Sequence, residues 1–158
     1  MERLLEKIAM AEKALGKLAE AADIEKPSEL ERDAIIQRFE FSFEAVWKAA
    51  QAYLRVVEGL DIASPKGVIR SCRELGLLTE AETAQCLKMA DDRNLTVHTY
   101  NEPLALAIYE RILGYRHLLF KWQQAMRARV EAMREDRTRE PEGARSSERG
   151  VNKSRGRI

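Results

Sequence analysis

Ser28-Glu29-Leu30-Glu31-Arg32-Asp33-Ala34-Ile35-Ile36-Gln37-Arg38-Phe39-Glu40-Phe41-Ser42-Phe43-Glu44-Ala45-Val46-Trp47-Lys48 opens a long helical pattern in this 158-residue chain. Ser28 followed by Glu31 is a capping-box signature: the hydroxyl serves an orphan backbone N–H and the carboxylate reaches back. An apolar stripe of Ile36, Phe39, Phe43, Val46/Trp47, Ala50, Tyr53/Leu54 and Val57 continues to about Gly59 with no internal proline. That spacing predicts one helix of roughly 45 Å at 1.5 Å per residue. Phe39, Phe43 and Trp47 recur every four residues and read as core or interface. Phe41 falls off the stripe and is a candidate for a partner-facing or dimer-facing surface. Arg38, Glu40 and Glu44 beside it are placed to form ion pairs, which are worth little when exposed.

The same periodicity extends to both sides. Leu4, Ile8, Ala11, Leu15, Leu18 and Ala22 form one stripe of a first helix, broken at Asp23-Ile24-Glu25-Lys26-Pro27. Ser64-Pro65 opens a short third helix, with proline in the first turn where its missing N–H costs nothing, and Gly76 closes it. Thr79 and Glu82 form a second capping box at the head of a fourth helix running towards Leu95. Asn101-Glu102-Pro103 starts a fifth, which carries Leu104, Ile108, Ile112, Tyr115, Leu119 and Trp122 to about Arg137. No segment alternates with period two for long enough to make a strand, and eight glycines and four prolines are too few for a many-stranded sandwich or barrel. The expected class is all-α.

Composition narrows the rest. Twenty-seven Lys+Arg against 26 Asp+Glu give a formal charge of +1, which carries no signal for nucleic acid. No apolar run approaches the roughly 18 residues of a membrane span. The N-terminus, Met-Glu-Arg-Leu-Leu-Glu-Lys, lacks the apolar core of a secretory signal, and Cys72 and Cys86 are not in CxxC spacing. Both thiols are expected reduced and packed as small hydrophobes, in a cytoplasmic protein with no membrane partner. Residues 138–158 are rich in Arg, Ser, Gly and Glu, with six basic and three acidic side chains. Such a segment cannot offset its ordering entropy and is expected to be a disordered tail, either simply solvated or an electrostatic handle on RNA.

Most catalytic templates are absent: there is no GxGxxG, GKS/GKT, GxSxG or HExxH. Asp91-Asp92 lies late in a helix, not on a strand beside a Gly-Ser turn as nucleotidyl transfer requires. Only Asp91, Asp92 and His98 could gather as metal ligands, so neither a metal nor a cofactor is expected. What remains is Asp91-Asp92-Arg93-Asn94-Leu95-Thr96-Val97-His98-Thr99-Tyr100-Asn101-Glu102, unusually polar for a junction between helices. The β-branched Thr96, Val97 and Thr99, with Pro103 beyond, predict fraying near Thr96. On an unbroken helix Arg93 and Tyr100 share a face and His98 is rotated about 140° from Arg93; unwinding turns the imidazole back towards the guanidinium. A permanently charged donor fork beside a group titrating near neutrality suits RNA cleavage by the 2′-hydroxyl, which needs a base, an acid and a cation. One set supplies the cation and one proton-transfer group; a symmetric dimer supplies two. Taken alone, His98 reads more readily as a structural or capping histidine than as a catalytic one, and His117, between Arg116 and Leu118 in mid-helix, reads as structural.

Arg93-Asn94-x-x-x-His98-x-Tyr100 resembles the R-x4-6-H motif of HEPN domains, in the R-x4-H-x-Y form of HepT-type proteins. Arg38 to Lys48, Ser64-Pro65-Lys66-Gly67-Val68-Ile69-Arg70 and Asp92 to Glu102 together resemble the nucleotidyltransferase substrate-binding proteins, over roughly residues 3–125. The resemblance implies an antiparallel up-and-down helical bundle of four to five helices over residues 1–137, a homodimer, and a separate minimal nucleotidyltransferase (MNT) antitoxin. It implies a metal-independent endoribonuclease toxin with Arg93 and His98 catalytic, Asp92 and Asn94 supporting, and Tyr100 as the acceptor of silencing AMP groups. The alternative is a non-catalytic helical subunit that helps a nucleotidyltransferase hold its substrate.

Overall fold

Four of the five α-helices among the described residues begin at a side chain that accepts an orphan amide, which is why their starts were readable from sequence. The computed structural model describes residues 1–140: α1 Glu2–Ala22, α2 Glu29–Val57, α3 Pro65–Glu74, α4 Glu80–Leu95, a 3₁₀ turn Thr96–His98, and α5 Glu102–Arg139. Ser28 Oγ accepts from the Glu31 amide at 3.1 Å and Glu31 returns the bond at 3.0 Å; Thr79 and Glu82 repeat the exchange at 3.1 and 2.9 Å. Ser64 Oγ serves the Gly67 amide and Asn101 Oδ1 that of Leu104, at 3.1 and 3.2 Å. Gly76, at φ +75°, takes the left-handed conformation that ends α3, where a side chain would be strained.

Among the described residues there is no strand, as the periodicity requires. Met1–Arg127 is one compact unit and the chain from Ala128 another; of the latter, Ala128–Arg139 is helical, with Thr138 Oγ1 donating to the Glu135 carbonyl at 2.7 Å. The helix therefore passes the expected end at Arg137, and the rest of the expected tail, residues 141–158, lies outside the described residues.

Cross-helix contacts fix the directions within Met1–Arg127. Arg38 of α2 donates to the Lys17 carbonyl of α1 at 2.6 Å, and Ser42, one turn on, shares its hydroxyl between the Ala14 carbonyl (3.2 Å) and the Arg38 carbonyl (2.8 Å). As α2 rises α1 falls, so the pair is antiparallel. The same logic runs α5 against α1, through Arg116–Asp23 at 2.9 Å and Gln123 Nε2 on the Ile8 carbonyl at 3.0 Å. It runs α5 against α4 through Lys121–Glu82 at 2.9 Å. This is the up-and-down arrangement of a HEPN-like bundle, with α3 as a short buttress whose Lys66 reaches Asp91 at 2.6 Å.

The core takes the apolar stripes as read. Phe39 and Phe43 are fully buried and Trp47 nearly so, which assigns them to the interior of this chain. Phe39 stacks on Tyr115 of α5 with centroids 5.8 Å apart, and each buried ring removes enough apolar area to contribute about 2–3 kcal/mol. Cys72 and Cys86 are both buried, and burial pushes the Cys86 thiol up to about 12.

One polar cluster interrupts this core. Asp92 of α4 is 4% exposed and receives Arg111 Nε at 2.6 Å, Arg111 Nη2 at 2.9 Å and the Tyr115 hydroxyl at 2.6 Å, both donors from α5. A carboxylate in the last turn of a helix faces the negative end of the helix dipole, at a cost of about 0.3–1 kcal/mol. Charge-assisted hydrogen bonds of about 1.5–3 kcal/mol each outweigh that cost. The guanidinium of Arg111 is driven further up by its bond to Asp92; burial and the same carboxylate drive the Tyr115 phenol up.

Two outcomes are expected. Asp92→Ala removes the acceptor of three bonds and lowers unfolding free energy by about 2–3 kcal/mol, measured by urea titration, while Tyr115→Phe costs less. For Cys86, a thiol held protonated in the folded state stabilises fully below its unfolded value near 9 and loses that contribution as pH rises towards 12. Between pH 8 and pH 10, wild type should therefore lose about 1.4 kcal/mol more than Cys86→Ala; equal losses would show that the buried thiol does not couple to folding.

Candidate functional site

The polar junction lies where α4 stops and α5 has not begun. Its unwinding has a local cause. Thr96 Oγ1 donates to the Arg93 carbonyl at 2.6 Å and Thr99 Oγ1 to the Thr96 carbonyl at 3.1 Å, so side chains take carbonyls that a continuing helix would use. The backbone tightens into the 3₁₀ turn Thr96–His98, and the Asn101 amide closes it on the His98 carbonyl at 3.0 Å. Fraying near Thr96 is thus present as the β-branched residues predict.

Helix geometry then distributes the motif. With Asp92 anchored inward, each following residue turns 100°. Arg93 falls at the boundary, its side chain one-quarter exposed, and Asn94 falls outside, exposed and, among the described residues, without a side-chain hydrogen bond. Asp92, expected to support the motif, faces Arg111 and Tyr115 and holds the end of α4 in place. The guanidinium of Arg93 makes no hydrogen bond among the described residues. Its Nε is buried without a hydrogen-bond partner, and the nearest carboxylate is Glu44 of α2 at 3.8 Å. Glu44 also reaches Lys48 at 3.7 Å, whereas Arg38 bonds a carbonyl, so only part of the expected ion pairing around Phe41 forms.

His98 and Tyr100 come together at the surface. The Tyr100 hydroxyl is 3.3 Å from His98 Nδ1, with the rings edge-on at 5.9 Å, and Tyr100 is 85% exposed. This corrects two geometric expectations. The turn brings the imidazole to the phenol, not to the guanidinium, with which it makes no hydrogen bond. The face shared by Arg93 and Tyr100 presupposes a continuing helix, and α4 has already ended. A phenol both donates and accepts, so it can hold neutral or charged imidazole at Nδ1. His117, read as structural, is exposed on α5 in a cleft beside Phe120 and Arg116.

Sequence reasoning missed Glu44 as the counter-charge of Arg93, and Arg111 and Tyr115 as the clamp on Asp92. Tyr115 was visible only as a member of the apolar stripe. The spacing of Arg111 and Tyr115, one turn apart on α5, was the sole available signal. Among the described residues no three His, Cys, Asp or Glu side chains gather as metal ligands, and no helix is long and apolar enough to cross a membrane.

Comparison with known proteins agrees with this architecture. The family model described as "nucleotidyltransferase substrate binding protein like" matches residues 6–128. A crystal structure from Thermus thermophilus is 60% identical over 75% of this chain and 99% of that one, with a TM-score of 0.73. A tri-AMPylated HEPN toxin of Shewanella oneidensis, in complex with MNT antitoxin, is 19% identical over 79% of this chain and 96% of that one, at TM-score 0.64. A mutant MntA–HpeT toxin–antitoxin is 17% identical over 81% and 99%, at TM-score 0.68. At such identities these two share the fold. No curated protein matches significantly. With most of its length matched, a close relative of known structure and a bundle superimposable on HEPN toxins, the chain belongs to the nucleotidyltransferase substrate-binding protein-like family.

Proposed function

We propose that this protein is the HepT-like toxin of a toxin–antitoxin pair, a metal-independent endoribonuclease silenced by AMP transfer to Tyr100. The observation that carries the reading is Arg93: a permanently charged guanidinium without a hydrogen bond, at the surface end of α4, one turn before an exposed His98–Tyr100 pair. A partly buried cation lacking hydrogen-bond acceptors gains most from an incoming anion, and a scissile phosphate is such an anion.

The chemistry follows from these groups. A neutral His98 accepts the proton of the RNA 2′-hydroxyl, whose oxygen attacks the adjacent phosphorus. Arg93 stabilises the charge of the phosphorane, and the 5′-oxygen leaves with a proton to give a 2′,3′-cyclic phosphate. One protomer has one imidazole at this junction, so base and acid together call for a homodimer that joins two junctions across a two-fold axis. Silencing uses the phenol: Tyr100 Oη attacks the α-phosphorus of ATP held by a nucleotidyltransferase, a Tyr–O–P bond forms and pyrophosphate leaves. The product loses the phenolic proton that His98 Nδ1 faces, places a negative phosphate at the junction, and covers the junction with adenosine. The Shewanella toxin of the same fold carries such AMP groups in its antitoxin complex. Cytoplasmic location is part of the same reading, since both substrates are found there.

The family's description supports a second reading, a non-catalytic subunit that holds substrate for a nucleotidyltransferase. Cleavage separates the two. Purified protein should cut single-stranded RNA in EDTA, and His98→Ala and Arg93→Ala should each slow it on the order of 10²-fold or more. Undiminished cutting by His98→Ala, or a requirement for divalent metal, sinks the mechanism. A complete lack of cutting by wild type favours the subunit reading.

Tyr100→Phe keeps the ring and loses the acceptor oxygen. The variant should still cut RNA yet resist silencing by co-expressed partner, and intact-mass spectrometry should find AMP on wild type only. AMP appearing equally on Tyr100→Phe would remove Tyr100 from its role.

A further inference from the structure

A second surface, between α1 and α2, has the chemistry of a nucleic-acid strand path. Met10, Lys13, Ala14 and Lys17 share one face of α1, and Arg38 and Phe41 face them from α2, enclosing a cleft of about 290 Å³. The cleft exists because the seam is narrow: Ser42 bonds the Ala14 carbonyl, and these small side chains leave space between the larger ones. Its lining holds three cations and no carboxylate. Neither Lys13 nor Lys17 has an ion-pair partner among the described residues, and Arg38 spends one donor on a backbone carbonyl. By helix spacing Glu6 and Glu20 lie a turn beyond the ends of this face. Two apolar groups are open to solvent beside the cations: Met10 at 66% and Phe41 at 59% exposure.

Phe41, at the edge of the cleft, stands one turn of α2 before Glu44, the carboxylate that faces Arg93. Phe41 and Glu44 are three apart on α2, a rise of about 4.5 Å, and Glu44 Oε1 is 3.8 Å from Arg93 Nε. An exposed aromatic ring flanked by unpaired cations is the combination that binds single strands without sequence preference, with a base stacked on the ring and phosphates along the basic groups. An acidic protein segment would also satisfy the cations, but a single strand uses the exposed ring as well, by stacking a base on it.

We propose that Lys13, Lys17, Arg38 and Phe41 bind single-stranded RNA flanking the scissile phosphate, with a base stacked on Phe41. This rests on the ribonuclease reading for its meaning but not for its test. The probe is a fluorescein-labelled 2′-O-methyl oligouridylate, which lacks the nucleophile and is bound without being cut, titrated into the full-length protein at several salt concentrations. Replacing both lysines, Lys13→Gln with Lys17→Gln, should weaken binding and make the slope of log K against log salt shallower by about 1.4. Phe41→Ala should weaken binding about 5- to 150-fold, and Phe41→Trp should retain it.

An unchanged slope in the lysine variant together with unchanged affinity in Phe41→Ala overturns the strand path, while RNA cutting by wild type would leave the ribonuclease reading standing. Patch-dependent binding by a wild type that does not cut supports the path and removes the ribonuclease reading. Sedimentation showing that Phe41→Ala splits a dimer into monomers, with RNA affinity per protomer intact, makes the patch an interface between copies and overturns the proposal. Loss of a co-expressed nucleotidyltransferase with RNA binding intact assigns the patch to that protein and overturns it equally.

Discussion

The carboxylate of Asp92 is the fixed point of the candidate site. It lies in the last turn of α4 and is clamped by two donors of Arg111 and by the Tyr115 hydroxyl, all from α5. Because a helix turns 100° per residue, fixing Asp92 inward fixes Arg93 at the boundary and Asn94 outside. The same clamp sets the height at which α4 ends against α5, and so where the 3₁₀ turn can project. A buried acid at a helix C-terminus is unfavourable against the dipole and against desolvation. Bidentate Arg pairing offsets both, since the two charges satisfy each other's lone pairs and protons in one geometry.

Downstream of that clamp the junction is left unsatisfied. Asp92 has three donors, whereas among the described residues Arg93, its neighbour, has only Glu44, beyond hydrogen-bonding distance. Two adjacent charges on one helix therefore serve opposite ends: the first is committed to structure and the second is left available. The threonine hydroxyls that stop α4 expose His98 and Tyr100 on a short turn tied at both ends, so an exposed pair is held without being buried. Such exposure suits the proposed entry of a polyanion from solvent and the proposed modification of Tyr100 by a partner.

Much of the fold was readable because its signals are local. Capping boxes at Ser28 and Thr79, the Pro65 start, the Gly76 stop and the stripe from Ile36 to Val57 each act within a few residues. The unwinding at Thr96 was readable for the same reason, since β-branched threonines bond their own helix's carbonyls. The directions of the helices followed from the resemblance, and the bundle has them.

Spacing along the chain was enough to predict that the described residues are helical, where their helices start, and that a break falls between Arg93 and Tyr100. It was not enough to turn Asp92 inward, to stand Glu44 beside Arg93, to bring the imidazole to Tyr100, or to place Met10 and Phe41 on one basic cleft. Each of those outcomes pairs groups across helices or across a broken helix, and so waits on the packed fold. Spacing fixes angles within one unbroken helix; it does not fix which face a neighbouring helix covers, nor where the next residue points once the ladder of hydrogen bonds has stopped.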